Sequence, residues 1–167
     1  PPYPLTTSFP SRATLRGIGA NYDPGKWFVM GEWGRLTTNS FLGDKSTWYL
    51  SGGYRFSDVT PYLTVARVKI DSNTSDPGLD TSMLPPYLAG PASNLNAGLN
   101  AVLASAVVQH TVSTGVRWDV KKDLALKLQY DRVHPGAGSP GTFTQIQPGF
   151  KSGGSVSVVS VILDFVF

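Results

Sequence analysis

Residues 155–167 read SVSVVSVILDFVF, and their side chains divide regularly between the two faces of an extended chain. One face is formed by Val159, Val161, Leu163, Phe165 and Phe167. Polar Ser160 and Asp164 fall on the other face. A period of two residues is typical of a β-strand, because successive side chains of a strand point in opposite directions. The stretch therefore predicts a strand with a continuous apolar face that ends on an aromatic residue.

The same period recurs along most of the chain and predicts six further strands. The predicted runs cover roughly residues 13–22, 27–36, 48–56, 62–70, 108–119, 124–131 and 159–167. Gly 18 and Pro 13 among the 167 residues indicate many turns and few long helices. We predict an all-β fold, an antiparallel meander of about seven strands.

The connections between these runs alternate regularly between short and long. Short turns fall at 23–26, 57–60 and 121–123, and long loops at 37–46, 71–105 and 134–154. In a meander, alternate connections lie at opposite ends of the strands, so all the short turns share one end. Transmembrane β-barrels of the outer membrane have this asymmetry, with short periplasmic turns and long extracellular loops. A soluble β-sandwich binding module, the alternative fold, gives no reason for it.

Composition and length agree with a single β-barrel segment over residues 1–167. We divide it into strands 1–4 at 12–70, a long extracellular loop at 71–105 and strands 5–7 at 106–167. Charged residues make up 15% of the chain, against about 25% in soluble globular proteins. The basic residues form no run, so we expect no nucleic-acid partner.

The chemistry-bearing residues are too few for a catalytic or metal site. Cysteine is absent, and His110 and His134 are the two histidines of the chain. By alternation, Ser113 points away from His110, so the two cannot form a nucleophile–base pair within their strand. We predict no enzymatic activity, no cofactor and no metal.

Aromatic residues are predicted to form two bands on the apolar face. Tyr22, Trp27, Tyr54, Phe56, Tyr62, Trp118, Phe165 and Phe167 fall near the short turns, and Trp33, Trp48 and Tyr130 near the long loops. Amphipathic rings settle at both interfaces of a membrane, so two such bands are expected of a spanning barrel.

Several stretches carry a resemblance to a known family. Residues 48–56 (WYLSGGYRF), 115–120 (GVRWDV) and 126–131 (LKLQYD) resemble strands of proteobacterial outer-membrane porins. The last strand, with Leu163, Phe165 and Phe167, is similar to the C-terminal signature that the barrel-assembly machinery recognises. The resemblance implies a location in the outer membrane, contact with outer-membrane lipid, a homotrimer and passive diffusion of small hydrophilic solutes.

The odd number of predicted strands departs from this family. Single-chain bacterial barrels have an even number of strands, and porins about 16 or 18. We therefore expect the chain to be the C-terminal portion of a larger barrel. Residues 1–9 could supply an eighth strand, but their prolines disfavour one. A small side-chain-filled barrel with a structural or adhesive role is the alternative.

Charged residues opposite the apolar positions are the predicted pore lining. They are Glu32, Arg55, Arg67, Lys69, Arg117, Asp119, Lys127, Asp131 and Asp164, five basic against four acidic. Rings of charge set the ion preference of a pore, so this set predicts a weak preference for anions. Alternatively, these residues pair with one another and stiffen the wall. The loop at 71–105 is expected either to fold inward as a constriction or to extend from the surface.

Overall fold

The computed structural model describes residues 12–39 and 43–166, and within these ranges it contains seven strands and a helix. The elements are β1 Ala13–Tyr22, β2 Trp27–Thr38, β3 Lys45–Tyr54, β4 Val59–Ile70, α1 Pro86–Ala104, β5 Gln109–Lys121, β6 Leu124–Pro135 and β7 Val156–Phe165. All seven predicted strands are confirmed.

The strands form one antiparallel sheet in the order of the sequence. Each strand pairs with the next one along the chain, from β1 to β7. The sheet is open, because β1 and β7 are its two edges and are not hydrogen-bonded to each other. The predicted meander is therefore confirmed, whereas a closed barrel is not present in the described residues. The proposed eighth strand at residues 1–9 lies outside them.

The register of the sheet separates the side chains into two continuous faces. Met30, Ser51, Thr64, Ser113 and Asp131 are successive partners across β2 to β6 and define the polar face. The neighbouring row is Val29, Gly52, Leu63, Thr114, Tyr130 and Val159, which defines the apolar face. Directly opposite residues share a face, so each row continues across the sheet without changing sides.

Large side chains of the apolar face are exposed and small polar side chains of the polar face are buried, the reverse of the distribution in a soluble protein. On the apolar face, Ile18, Leu63 and Val161 are 73%, 52% and 68% exposed. On the polar face, Ser51 and Ser113 are 9% and 8% exposed. Soluble domains bury large apolar side chains and leave hydroxyl groups on the surface. The sheet thus encloses its polar side and presents its apolar side outward.

The pairing of strand β4 with its neighbours corrects the predicted face of two lining residues. Arg67 is opposite Trp48 and His110, and Lys69 is opposite Ser46, so both lie on the apolar face. The prediction that they share a face with Arg117 is wrong. The reason is that the pattern of β4 inverts halfway: Leu63 and Val65 are apolar at odd positions, whereas Val68 and Ile70 are apolar at even ones. The alternation within β4 does not show which of its side chains lie on the apolar face. Its pairing with β3 and β5 assigns them.

The same inversion corrects the placement of Tyr62, which was expected in an aromatic band of the apolar face. Tyr62 is opposite Gly53 and Gly115 on the polar face. Its hydroxyl donates a hydrogen bond to Oε1 of Gln129 at 2.6 Å. To reach Gln129 on β6, the ring crosses Gly115 on β5, where a Cβ atom would lie 2.3 Å from the Tyr62 hydroxyl and 2.8 Å from the Leu128 carbonyl oxygen. A glycine is required there for close approach.

Helix α1 occupies more than half of the predicted loop at 71–105. The apolar stretch at 95–103 predicts a short helix, and the structure extends it to 19 residues. Pro86 lies in the first turn, where the missing N–H removes no helical hydrogen bond. The helix packs against none of the strands. Instead, the amides of Asn96 and Asn100 donate to the carbonyl oxygens of Leu79 and Asp76, each at 2.8 Å. No helix in the described part of the chain has an apolar stretch long enough to span a bilayer.

The Tyr62–Gly115 contact gives a test of the fold. Gly115→Ala should lower the free energy of unfolding by about 1–3 kcal/mol, because the added methyl group forces Tyr62 off Gln129 or moves the β6 backbone. Gly98→Ala is the matched control in α1, where a Cβ atom meets nothing within 4 Å. It should leave that energy unchanged or raise it by up to about 1 kcal/mol. Urea unfolding of the intact protein measures both, and equal effects would contradict the predicted contact.

Candidate functional site

A cavity of about 470 Å³ lies on the polar face of the sheet. It is lined by Phe28, Met30, Ser51, Arg55, Thr60, Tyr62, Thr64, Ser113, Arg117, Asp119, Lys127, Gln129 and Asp164. Residues of β2 and β7, far apart in the order of the sheet, line the same cavity, so the polar face is concave. No residue of the segment 71–105 lines it.

The structure brings five of the nine predicted lining residues to this cavity. They are Arg55, Arg117, Asp119, Lys127 and Asp164. By register, Glu32 and Asp131 lie on the same face but beyond the cavity. Arg67 and Lys69 lie on the opposite face. Of the predicted set, the polar face therefore keeps three basic and four acidic residues. The excess of basic residues behind the expected anion preference is no longer present.

Arg117 joins two carboxylates of different strands at the short-turn end of the cavity. Its Nε lies 2.9 Å from Asp119 Oδ1, and its Nη1 lies 3.3 Å from Asp164 Oδ2. Asp119, Ala125 and Asp164 are successive partners across β5, β6 and β7. The small side chain of Ala125 leaves room for Arg117 to reach across β6. All three charged side chains are about half exposed, so the pairs fix geometry more than they stabilise the fold.

A second group of polar contacts was not predicted from the sequence. Lys127 Nζ lies 5.0 Å from the centre of the Tyr62 ring, within the range of a cation–π interaction. Gln129 accepts from Tyr62 and donates to Asp131 Oδ1 at 2.8 Å. Tyr62 and Gln129 belong to the site. Gly115, which the Tyr62 ring crosses, is the sequence signal that could have revealed their contact.

Arg55 closes the cavity at the first short turn. Its Nη1 and Nη2 donate to the two carboxylate oxygens of Asp23, each at 2.7 Å, and Nη1 also donates to the Gly25 carbonyl oxygen at 2.8 Å. The guanidinium lies 5.4 Å from the centre of the Phe28 ring. The hydrogen bonds from Arg55, followed by that from the Gly25 backbone N–H, lower the pKa of Asp23 in the turn. This pair ties the turn between β1 and β2 to the end of β3.

The predicted assembly signal lies on an edge of the sheet. Leu163 and Phe165 share the apolar face of β7 and are 57% and 61% exposed. Phe167 lies outside the described residues. The edge strand leaves both side chains accessible, while their recognition by assembly machinery stays a prediction.

The comparisons with known proteins identify no relative. No protein-family model matches the chain, and no curated protein or solved structure is similar enough to count as a match. Among the described residues there is also no cluster of three metal-ligating side chains. His110 and His134 stack on the apolar face with ring centres 4.8 Å apart, away from the cavity. The site must therefore be interpreted from its own geometry.

The Asp23–Arg55 pair predicts a pH-dependent contribution to stability. Folding lowers the pKa of Asp23, so the pair stabilises the folded state at a pH above the unfolded pKa of about 4. This stabilisation is lost as the pH falls through the lowered pKa of Asp23 in the folded state. Asp23→Asn should lower the free energy of unfolding at pH 7, and the difference from wild type should shrink toward pH 2.5.

Asp58→Asn is the control, since Asp58 lies in the next short turn and forms no ion pair among the described residues. It should differ little from wild type at either pH. Urea unfolding at pH 7 and pH 2.5 makes the comparison. A constant difference between Asp23→Asn and wild type would show that the pair is not formed.

Proposed function

We propose that this chain forms part of the wall of a porin-like outer-membrane barrel through which small hydrophilic solutes diffuse passively. One observation carries the proposal: exposed apolar side chains cover the outside of the sheet, and polar and charged groups line the concave side. Lipid on one face and water on the other is the environment that matches this distribution. No reacting group is needed, because a polar lumen replaces part of a solute's hydration.

The spacing of the tryptophans supports a membrane-spanning arrangement. All four tryptophans lie on the apolar face, Trp27 and Trp118 near the short turns, Trp33 and Trp48 near the long loops. Trp33 lies six positions after Trp27, which corresponds to about 20 Å along a strand. The apolar band of an outer-membrane barrel is about 25 Å tall between its aromatic girdles. Tilted by about 40°, a strand of this length rises about 15 Å along the membrane normal, so the two pairs lie toward opposite ends of such a band.

The open edges support a larger barrel. Among the described residues, strands β1 and β7 have one neighbour each, so each leaves a row of backbone N–H and C=O groups without a strand partner there. In hydrocarbon every unpaired backbone group costs several kcal/mol, and closure removes that cost. Further strands between the two edges would complete the wall. By its resemblance to porins, the complete barrel is expected to assemble through its last strand and to form a homotrimer.

The charge on the polar face supports weak ion selectivity. Arg117 is shared by Asp119 and Asp164, and Arg55 is neutralised by Asp23. Lys127 is the cation of the cavity lining that forms no ion pair among the described residues. In a wall of this kind, the paired charges stiffen the sheet, and the unpaired charge of Lys127 biases the ions that pass.

The soluble β-sandwich alternative gains no support from the sheet. A sandwich needs a second sheet or layer against its apolar face. In residues 12–39 and 43–166 no such layer is present, and α1 packs against none of the strands.

Planar-bilayer conductance of the intact protein, purified from outer membranes in detergent, tests the proposal. Discrete, long-lived current steps are expected. Arg117→Gln should shift the reversal potential in a salt gradient toward cations. One unit charge acts on an ion about 8 Å away in water with about 0.5 kcal/mol, so the permeability ratio should change about two- to fivefold.

The matched control is Arg16→Gln, which removes the same charge from the apolar face, where Arg16 is opposite Arg35. It should leave the reversal potential unchanged. A folded protein without current steps, or equal shifts in both variants, would contradict the assignment of the polar face to a lumen.

A further inference from the structure

Charged side chains of the sheet are segregated in a way that the pore function does not require. The acidic residues of the strands, Glu32, Asp119, Asp131 and Asp164, all lie on the polar face. The apolar face carries Arg16, Arg35, Arg67, Lys69, His110, Arg132 and His134 toward the long loops, and Lys121, opposite Leu124, at the short-turn end. Seven of these eight basic side chains therefore collect at the long-loop end of a largely apolar surface.

The densest part of this collection spans β4, β5 and β6. Arg67 is opposite His110, and His110 is opposite His134, so the three form one row. The two imidazole rings stack at 19°. Arg132 follows on the same face of β6, and its Nη1 donates to Ser157 Oγ at 2.8 Å. We call Arg67, His110, Arg132 and His134 the basic patch; neighbouring strands are about 4.8 Å apart, so the row is about 10 Å wide.

The two arginines of the basic patch have no acidic partner within the described residues. Arg35 lies 4.0 Å from Asp44, and Lys69 lies 3.4 Å from Asp71, so the cations beside the patch have acidic partners. Arg67 and Arg132 form no ion pair in the described part of the chain. Guanidinium groups bind phosphate with a planar pair of N–H donors, and the His110 imidazole adds a further donor, whereas the His134 ring hydrogen-bonds Ser155 Oγ. The patch has the chemistry of a phosphate site.

The surroundings of the patch indicate a phosphate that is attached to a lipid. Trp48 is the direct neighbour of Arg67, and Trp33 is the next residue in the same row. Tryptophan settles at the level of lipid headgroups. Toward the short turns, the row after Arg67 contains Val65 and Val112, and the one after that contains Leu63. An acyl chain could lie along this apolar strip with its phosphate on the basic patch, whereas a free phosphate would gain nothing from the strip.

We propose that the basic patch binds the phosphate of an anionic lipid headgroup in the leaflet at the long-loop side of the membrane. The proposal rests on the membrane-spanning function proposed above. The bound lipid would neutralise Arg67 and Arg132 and pack its chain against β4 and β5. Lipid binding thus explains why Arg67 and Arg132 lie on a lipid-facing surface without acidic partners among the described residues, which solute passage does not explain.

Fluorescence quenching by brominated lipids tests the patch, since Trp33 and Trp48 adjoin it. The intact protein carries Trp27→Phe and Trp118→Phe, so that Trp33 and Trp48 are the tryptophans of this chain whose fluorescence is measured. It is reconstituted in vesicles of brominated phosphatidylcholine, alone or mixed with brominated phosphatidic acid. We expect quenching in both, with phosphatidic acid bound at least about fivefold more tightly, the preference that one basic side chain gives at an anionic surface.

The variant Arg67→Gln/Arg132→Gln should reduce this preference to about one. Lys121→Gln/Lys122→Gln removes the same charge near the short turns and should keep the preference. Quenching by phosphatidylcholine with no preference for phosphatidic acid, or a preference that survives Arg67→Gln/Arg132→Gln, would overturn the lipid site alone. No quenching by either lipid would instead contradict the membrane-spanning function.

Discussion

The antiparallel ladder from β1 to β7, which shifts register once, between Asp119 and Lys121 in β5, is the constraint on which the rest of the structure depends. Opposite residues share a face, so the ladder assigns every side chain of the sheet to one of two environments. A slip of one residue would exchange the faces of a whole strand. On β5 it would place Arg117 and Asp119 outside and Trp118 in the cavity. The polar wall and the apolar surface are therefore two consequences of the same register.

Much of the fold follows from the sequence because local signals repeat. Period-two alternation and the alternation of short and long connections are sufficient for seven strands and their order. Strand β4 shows where this reasoning ends: its apolar residues change parity halfway, so Arg67, Lys69 and Tyr62 are assigned by neighbouring strands and not by β4 itself. Helix α1 was underestimated for a different reason: its first half contains Pro86 in the first turn and Pro91 in the interior, and prolines argue against a helix when only the sequence is considered.

The two faces use charge in different ways. On the concave face, Arg117 and Arg55 are held by carboxylates from other segments, so these charges fix distances between strands as much as they create a field. On the outside, Arg67 and Arg132 lie beside Trp48 and Tyr130 without acidic partners in the described residues. Arginines that are paired on the concave face and unpaired at one rim of the outer face are consistent with a wall that contacts water on one side and the headgroups of a membrane on the other.

The central claim is that the polar face contacts water and the apolar face contacts lipid. Because the chain has no cysteine, single cysteines can be introduced along β6 at residues 126–131 and exposed, in membranes, to a charged thiol reagent. The account predicts that positions 127, 129 and 131 react and that positions 126, 128 and 130 are protected. Uniform reaction, or protection of the odd positions instead, would contradict it.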